Sequence, residues 1–194
     1  MVFEQAAKKA LEMAETVRQC IDGAEQLSGA AFDICSGKFR VTGSLNGIWP
    51  ERLIRYRCAK LSPKDQVRLW IEHLILNLLE TASYPKSSRL IMTDAIIDLE
   101  PYADSATCLQ DLLETYWEGL KAPLHFFPRS TFAYLKSQKI SDAERVWNGE
   151  QQPESKDPSF SLCFGGTDPF DEEFTVVAEK TFGEYFRHYS KNKF

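Results

Sequence analysis

The sequence predicts a mixed α/β (α+β) fold, in which a central mixed sheet is flanked by helices, and three observations support this. Helix-like and strand-like apolar patterns alternate along most of the 194 residues. Apolar residues make up 43% of the chain, enough to bury a core. No run of 18 apolar residues and no signal-peptide core is present. We therefore expect one soluble, cytoplasmic domain over residues 1–194 that has no membrane contact.

The first half of the chain carries the clearest patterns. Apolar residues recur every three or four positions over 3–22, which predicts an amphipathic helix. Alternation of apolar and polar residues predicts three successive antiparallel strands, at 31–35, 38–45 and 52–58. Ser62-Pro63 predicts the start of a helix over 63–79. The apolar stripe of this helix should be buried and consists of Trp70, Ile71, Leu74 and Leu78.

The second half predicts shorter alternating elements. Strands are predicted at 89–92, 124–127 and 160–164. Helices are predicted at 104–119, 130–138, 141–148 and 170–188.

Basic residues are concentrated between Lys38 and Arg68. This segment holds eight basic residues and two acids, a local charge of +6, so the rest of the chain sums to −11 within the total of −5. A basic strip on an acidic body is typical of local phosphate contact, and solvated surface charges are the alternative. The candidate DNA-binding residues are Arg40, Arg52, Arg55, Arg57, Lys60, Lys64 and Arg68.

The strong catalytic motifs are absent. The chain has no Gly-rich phosphate loop, no G-x-S-x-G and no H-E-x-x-H. Its five cysteines and three histidines share no metal-ligand spacing, so we expect no metal and no cofactor. Asp94, Asp98 and Glu100 are expected to be turn or capping residues, and Glu72-His73 a surface pair.

The order helix, three strands, helix resembles the core of restriction-endonuclease-like, PD-(D/E)XK, nucleases. In the helicase-associated branch of that superfamily, a Gly-x-x-Asp turn ends the second strand, the third strand carries Asp-x-Lys, and a helix with a Gln follows. "VTGSLNGIW" is similar to the turn, but Asn46 stands in place of the Asp. In "LIRYRCAKL", Arg55 replaces the acid and Arg57 the lysine, and the helix Gln corresponds to Gln66 or, in a shifted register, to Arg68.

These replacements bear on catalysis. Two-metal phosphodiester cleavage needs carboxylates that hold the ions, whereas a guanidinium has no acceptor lone pair and stays protonated. The resemblance therefore implies a degenerate nuclease site at Asn46, Arg55 and Arg57, with no catalytic residue.

Three longer segments resemble one family within this superfamily. The first is "FRVTGSLNGIWPERLIRYRCAKLSPKDQVRLWIEHLILN", the second "YWEGLKAPLHFFPRSTFAYL" and the third "SFSLCFGGTDPFDEEFTVVAEKTFGEYF". All three are similar to blocks of the C-terminal domain of the exodeoxyribonuclease V gamma subunit, the RecC family. The resemblance implies a fragment of a larger bacterial subunit, beginning at an added Met1.

The family resemblance also implies a function. The expected role is non-catalytic, in DNA handling, strand separation and subunit docking within the helicase–nuclease that repairs double-strand breaks and serves recombination. The expected partners are DNA and the beta (RecB) and alpha (RecD) subunits. The candidate docking residues are aromatic: Trp117, Phe126, Phe127 and Tyr134.

Two other function classes stay open. A scaffold that binds only protein would use Arg55 and Arg57 for acidic side chains of a partner. An active nuclease would need Asp33, Glu51 or Asp94 to converge on a new site.

The surroundings of Arg55 and Arg57 also have two interpretations. In one, the two arginines form a phosphate pocket beside Arg40 or Thr42 on the neighbouring strand. In the other, internal salt bridges to Asp33, Glu51 or another acid neutralise them.

Overall fold

The structure, a computed structural model, describes residues 2–81 and 83–192, without the side chains of Val2, Phe3, Gln5 and Ala6. The fold is mixed α/β, as predicted. The described residues form two compact units, one within Met1–Leu109 and His188–Phe194 and the other within Gln110–Arg187. The single domain over 1–194 stays a prediction. No helix in the described part is both long and apolar enough to cross a membrane.

The elements follow one another along the chain with short connections. The first part contains α1 (Val2–Ile21), β1 (Ala30–Ser36), β2 (Phe39–Leu45), β3 (Leu53–Arg57), α2 (Pro63–Leu78), β4 (Ser88–Met92) and β5 (Ile96–Leu99). The second part contains α3 (Ser105–Gly119), α4 (Pro128–Ser137), α5 (Ile140–Trp147), α6 (Pro158–Phe164), α7 (Glu172–Ala178), α8 (Glu184–His188) and β6 (Tyr189–Asn192). A 3₁₀ turn spans Glu154–Lys156, and a π-helical turn, Glu179–Gly183, joins α7 to α8.

The strands of the first unit form two sheets, so the predicted antiparallel meander is wrong. β1 and β2 make an antiparallel hairpin of their own. β3 instead pairs in parallel with β4, in a mixed sheet ordered β3-β4-β5-β6. Between β3 and the segment after β2, the described part retains one antiparallel bridge, from Ile48 to Leu53. The helix α2 supplies the crossover that a parallel pair requires.

Helix α2 is fixed at both ends by side chains. Ser62 and Asp65 form a capping box, with Pro63 in the first turn. At the other end, Nζ of Lys86 donates to the carbonyl oxygens of Leu76, Asn77 and Leu79, at 3.2, 3.3 and 2.5 Å. These bonds satisfy carbonyls that the helix leaves without partners.

The buried face of α2 differs in part from the predicted stripe. Trp70 and Leu74 are fully buried, as predicted. Ile71 is 36% exposed, so its predicted burial is wrong, and Leu78 is partly buried.

Helix α1 packs on the mixed sheet through one apolar face. Met13 and Val17 of α1 form a buried cluster with Ile54 of β3 and Ile91 of β4. Each such side chain gains roughly 1.5–3 kcal/mol from burial. This packing positions β3, and with it the arginines of the candidate site.

The second unit has an aromatic core around Phe127, which is fully buried. Its ring lies 4.5 Å from that of Trp147 and 5.0 Å from that of Phe164, between centroids. The strand predicted at 124–127 is wrong, because Phe126 N–H bonds back to Leu124 at 2.7 Å and Phe127 ends the turn as the N-cap of α4.

The strand predicted at 160–164 is also wrong, since these residues lie in α6. Asp157 accepts from Ser159 N–H and Pro158 occupies the first turn, which starts a helix. Phe160 and Phe164 pack on the core, whereas Leu162 is 87% exposed. A strand would have placed all three on one face.

Candidate functional site

Arg55 lies on β3, where the resemblance to nucleases places a metal-binding acid. Its Nε donates to Glu72 Oε2 at 2.6 Å, and its Nη1 donates to the carbonyl oxygens of Asn46 and Ile54 at 2.6 and 3.3 Å. The side chains of Arg55 and Glu72 are only 20% and 14% exposed. The guanidinium, which stays protonated, thus has one carboxylate and two carbonyls as its acceptors.

The turn after β2 is shaped to admit this guanidinium. Gly47 has φ +68°, and a Cβ there would lie 2.6 Å from Nη1 of Arg55. A Cβ on Gly29 would lie 2.3 Å from Oδ1 of Asn46. The side chain of Asn46 therefore approaches Gly29, and its main-chain carbonyl meets Arg55. The structure brings Asn46 and Arg55 together through the backbone.

Glu72 is the residue that sequence reasoning missed. Its Oε1 accepts from Arg68 Nε at 3.0 Å while its Oε2 holds Arg55, so two of the predicted basic residues share one carboxylate. The predicted surface pair of Glu72 and His73 is wrong, because His73 is fully buried. The spacing of Arg68 and Glu72 by one helical turn was a usable signal for their contact.

Arg57 is held by the capping box of α2. Its Nη2 donates to Asp65 Oδ2 at 2.6 Å, and the same oxygen accepts from Ser62 Oγ at 2.5 Å. The Arg57 side chain remains 55% exposed. Internal salt bridges thus neutralise the Arg-x-Arg strand, as one of the two interpretations predicted, and the acids are Glu72 and Asp65 rather than Asp33 or Glu51. The partners come from α2.

Arg40 and Arg52 are paired elsewhere. Arg40 lies in the hairpin and forms two bonds to Asp33 of the paired strand, at 2.8 and 2.5 Å. The hydrogen bonds between the two side chains lower the pKa of Asp33 and raise the pKa of Arg40. Arg52 donates to Asp98 at 3.1 Å. Because Arg40 lies on β2 of the hairpin, it belongs to a different sheet from Arg55 and Arg57 of β3.

Asp98 anchors two arginines from the mixed sheet. It lies on β5 and is 8% exposed, so its predicted turn or solvated role is wrong. It accepts from Arg52 and also from Arg89 of β4, whose Nε lies 2.5 Å from Asp98 Oδ1. The Asp98 hydrogen bond raises the pKa of Arg89. Five of the seven candidate DNA-binding residues thus have carboxylate partners.

Lys60 and Lys64 are the two remaining candidate DNA-binding residues. Both are exposed, and neither forms an ion pair within the described residues. Among the seven candidates, Lys60 and Lys64 carry the charges that no carboxylate of a described residue offsets.

The acids named for an active nuclease do not converge in the described part of the chain. Asp33 pairs with Arg40, and Asp94 Oδ1 accepts from Leu61 N–H at 2.8 Å. Among described residues, one group could hold a metal ion, and it lies in the second unit: His125, Asp171 and Glu173. Asp171 there accepts from Phe174 N–H as the N-cap of α7, and its Oδ1 lies 2.9 Å from Nδ1 of His125.

The candidate docking residues differ in exposure. Phe127 is fully buried, so its place on an exposed patch is a wrong prediction. Phe126 and Tyr134 are half-buried. Trp117 is 41% exposed. Two neighbours are also exposed: Tyr116 on α3, at 65%, and Leu120 directly after α3, at 61%. A docking role for this exposed group stays a prediction.

Comparison with known proteins adds a family. Residues 1–139 match the model of the RecC C-terminal domain. The chain is 27% identical over 137 residues to the RecBCD enzyme subunit RecC of Escherichia coli (strain K12). The aligned region is 70% of this chain and 12% of that relative. The residues described above lie inside the family match, except Asp171 and Glu173 of the His125 group and the part of the aromatic core beyond residue 139. The chain belongs to the RecC C-terminal domain family.

Proposed function

We propose that this chain is a non-catalytic domain of a RecBCD-type helicase–nuclease complex. In that complex it would contact DNA and dock the RecB and RecD subunits during double-strand-break repair and recombination. Membership of the RecC C-terminal domain family supports a place in such a complex. The Escherichia coli relative, 12% of whose length is aligned, is named as a RecBCD enzyme subunit.

One observation carries the non-catalytic part of the proposal. The Arg55 guanidinium, which the sequence resemblance aligns with the metal-binding acid of an active nuclease, donates to Glu72 and to the Asn46 carbonyl, both at 2.6 Å. A fixed cation among these oxygens repels a divalent ion from the carboxylate of Glu72.

The experiment is an incubation of the purified chain with end-labelled single- and double-stranded DNA in magnesium or manganese. We expect no cleavage in either metal. Cleavage that persists through purification and disappears in Asp33→Asn, Glu51→Gln or Asp94→Asn would overturn the proposal, because a contaminating nuclease would not respond to these changes.

DNA contact is assigned to charges that the protein leaves available. Arg55 is mostly buried and paired, so we do not place phosphate on it. Lys60 and Lys64 are exposed and have no ion-pair partner among the described residues. Replacement of both by Ala should lower DNA affinity about equally for all sequences and should flatten its salt dependence.

A second candidate is a scaffold that binds protein alone. It is favoured by the pairing of Arg40, Arg52, Arg55, Arg57 and Arg68 with carboxylates of the chain itself. Salt-dependent DNA binding by the isolated chain separates the two: the scaffold predicts none, together with retained capture of RecB or RecD.

A further inference from the structure

A groove runs between α1 and the end of β3. Met13 and Val17 cover Ile54, but Tyr56, two residues further on the same face of the strand, is 63% exposed. The space beside it has a volume of about 560 Å³. Ala10 and Ala14 line it from the helix, and their small side chains leave the width that a flat ring needs.

The charged residues that line this groove have one sign. They are Arg18 of α1 and Arg57 of β3, and no carboxylate is among the lining residues. Arg18 is exposed and has no ion pair with a described residue. Arg57 bonds to Asp65, yet 55% of its side chain faces solvent, so a second acceptor can approach it. The groove therefore favours an anionic ligand with an apolar, flat part.

We propose that this groove binds single-stranded DNA, with one base stacked on Tyr56 and the adjacent phosphates on Arg18 and Arg57. This rests on the DNA contact in the proposed function and extends that contact beyond Lys60 and Lys64. Unpaired bases stack on exposed aromatic rings, and basic side chains follow the backbone. Met13 and Val17 supply an apolar floor for the base. A paired base is held in the duplex stack and cannot enter, so the groove selects single strands.

The first test is fluorescence anisotropy with a short fluorescein-labelled oligo-dT strand. Tyr56→Ala should weaken binding about tenfold, because base stacking is lost, and Tyr56→Phe should bind like the unchanged protein. Arg18→Ala should reduce the salt slope by about 0.7. The matched control is Tyr116→Ala, since Tyr116 is 65% exposed on a different element and should have no effect.

The second test uses the unchanged protein. Cys58 lines the groove, whereas the exposed Cys35 and Cys163 do not. Bound oligo-dT should slow maleimide labelling of Cys58 and leave that of Cys35 and Cys163 unchanged, as read by peptide mass spectrometry. If Cys58 is labelled at the same rate with saturating oligo-dT as without it, the proposal is overturned.

The remaining outcomes separate this site from the proposed function. Oligo-dT binding that is insensitive to Tyr56→Ala and Arg18→Ala would overturn the groove and leave DNA contact elsewhere on the chain. No oligo-dT binding at low salt would overturn both the groove and the DNA contact, and would leave the scaffold. Protection of Cys58 by a poly-Glu peptide but not by oligo-dT would assign the groove to a protein partner instead.

Discussion

Oε2 of Glu72 on α2 lies 2.6 Å from Nε of Arg55 on β3, and this contact joins the helix to the strand that carries the Arg-x-Arg pattern. Both side chains are largely buried, so each is the counter-ion that the other has in place of water. The same carboxylate also holds Arg68, whose side chain is 72% exposed. The two arginines on this acid thus differ strongly in burial, and Arg55 also donates to two carbonyls, so their contributions to stability should differ.

We first predict that Glu72→Gln destabilises the protein by about 2–4 kcal/mol. The change leaves the mostly buried Arg55 without its counter-ion, and an uncompensated buried charge is costly. Arg68→Ala removes the exposed partner of the same carboxylate and should cost less than about 1 kcal/mol. Urea unfolding followed by circular dichroism measures both. Equal losses for the two variants would mean that burial does not set the strength of this pair.

A second prediction concerns Gly47, where a positive φ and a close contact coincide. Gly47→Ala should cost about 2–3 kcal/mol, because it adds backbone strain and places a Cβ 2.6 Å from Arg55 Nη1. Gly23 has a similar φ of +72° but nothing within 4 Å of a Cβ, so Gly23→Ala reports the strain alone, about 1 kcal/mol. The difference between the two midpoints in urea should shrink when Arg55→Ala is also present. An unchanged difference would show that Arg55 is not the obstacle.

Buried His73 gives a third prediction, on pH. Burial is the main cause that lowers its pKa from 6.5 to about 4, and its ring lies between Trp70 and Ser88. The unfolded chain takes up a proton below pH 6.5 while the folded protein does not until about pH 4, so stability falls across that interval. The loss should reach roughly 3 kcal/mol. Above pH 6.5, the pKa of His73 in the unfolded chain, this loss of stability does not occur.

The measurement for His73 is urea unfolding at several pH values across this interval. Carboxylates also titrate there, so His73→Gln serves as the reference that lacks the imidazole. The slope of stability against pH should be smaller in His73→Gln than in the unchanged protein. Identical slopes would contradict a neutral buried His73.

A fourth prediction separates core from docking surface in the second unit. Phe127→Ala should cost about 3–5 kcal/mol, since its ring is fully buried among aromatic neighbours. Trp117→Asp should leave the urea midpoint nearly unchanged and weaken capture of RecB or RecD in a pull-down. Leu162→Asp, at a position 87% exposed, is the control and should keep capture. Loss of capture in both Asp variants would indicate a general charge effect.

Much of the local structure could be predicted from the sequence. The helices at 3–22, 63–79 and 104–119 are confirmed as α1, α2 and α3, because apolar spacing and the Ser62-Pro63 start are local signals. The strands at 31–35, 38–45, 52–58 and 89–92 are likewise confirmed as strands. The Arg-x-Arg feature of β3 and the family resemblance were visible in the order of residues alone.

Pairing partners could not be predicted in the same way. Alternation of residues over β3 shows which side chains share a face, but a strand with that pattern can pair with β2 or with β4. The parallel pairing with β4 is decided when α2 crosses over the sheet, which is an event of tertiary packing. Strands β5 and β6 were missed because β5 has four residues and β6 comes from the far end of the chain.

The sequence by itself thus determined most of the elements, the charge of the basic strip and the Arg-x-Arg pattern of β3. Only the tertiary structure decided which acids pair with the arginines of the strip. Glu72 is 17 residues from Arg55 and Asp65 is 8 from Arg57, and no local pattern connects them. The pairs form because a charge that packing removes from water must find an opposite charge or cost several kcal/mol, and the fold of α2 against β3 places those acids within reach.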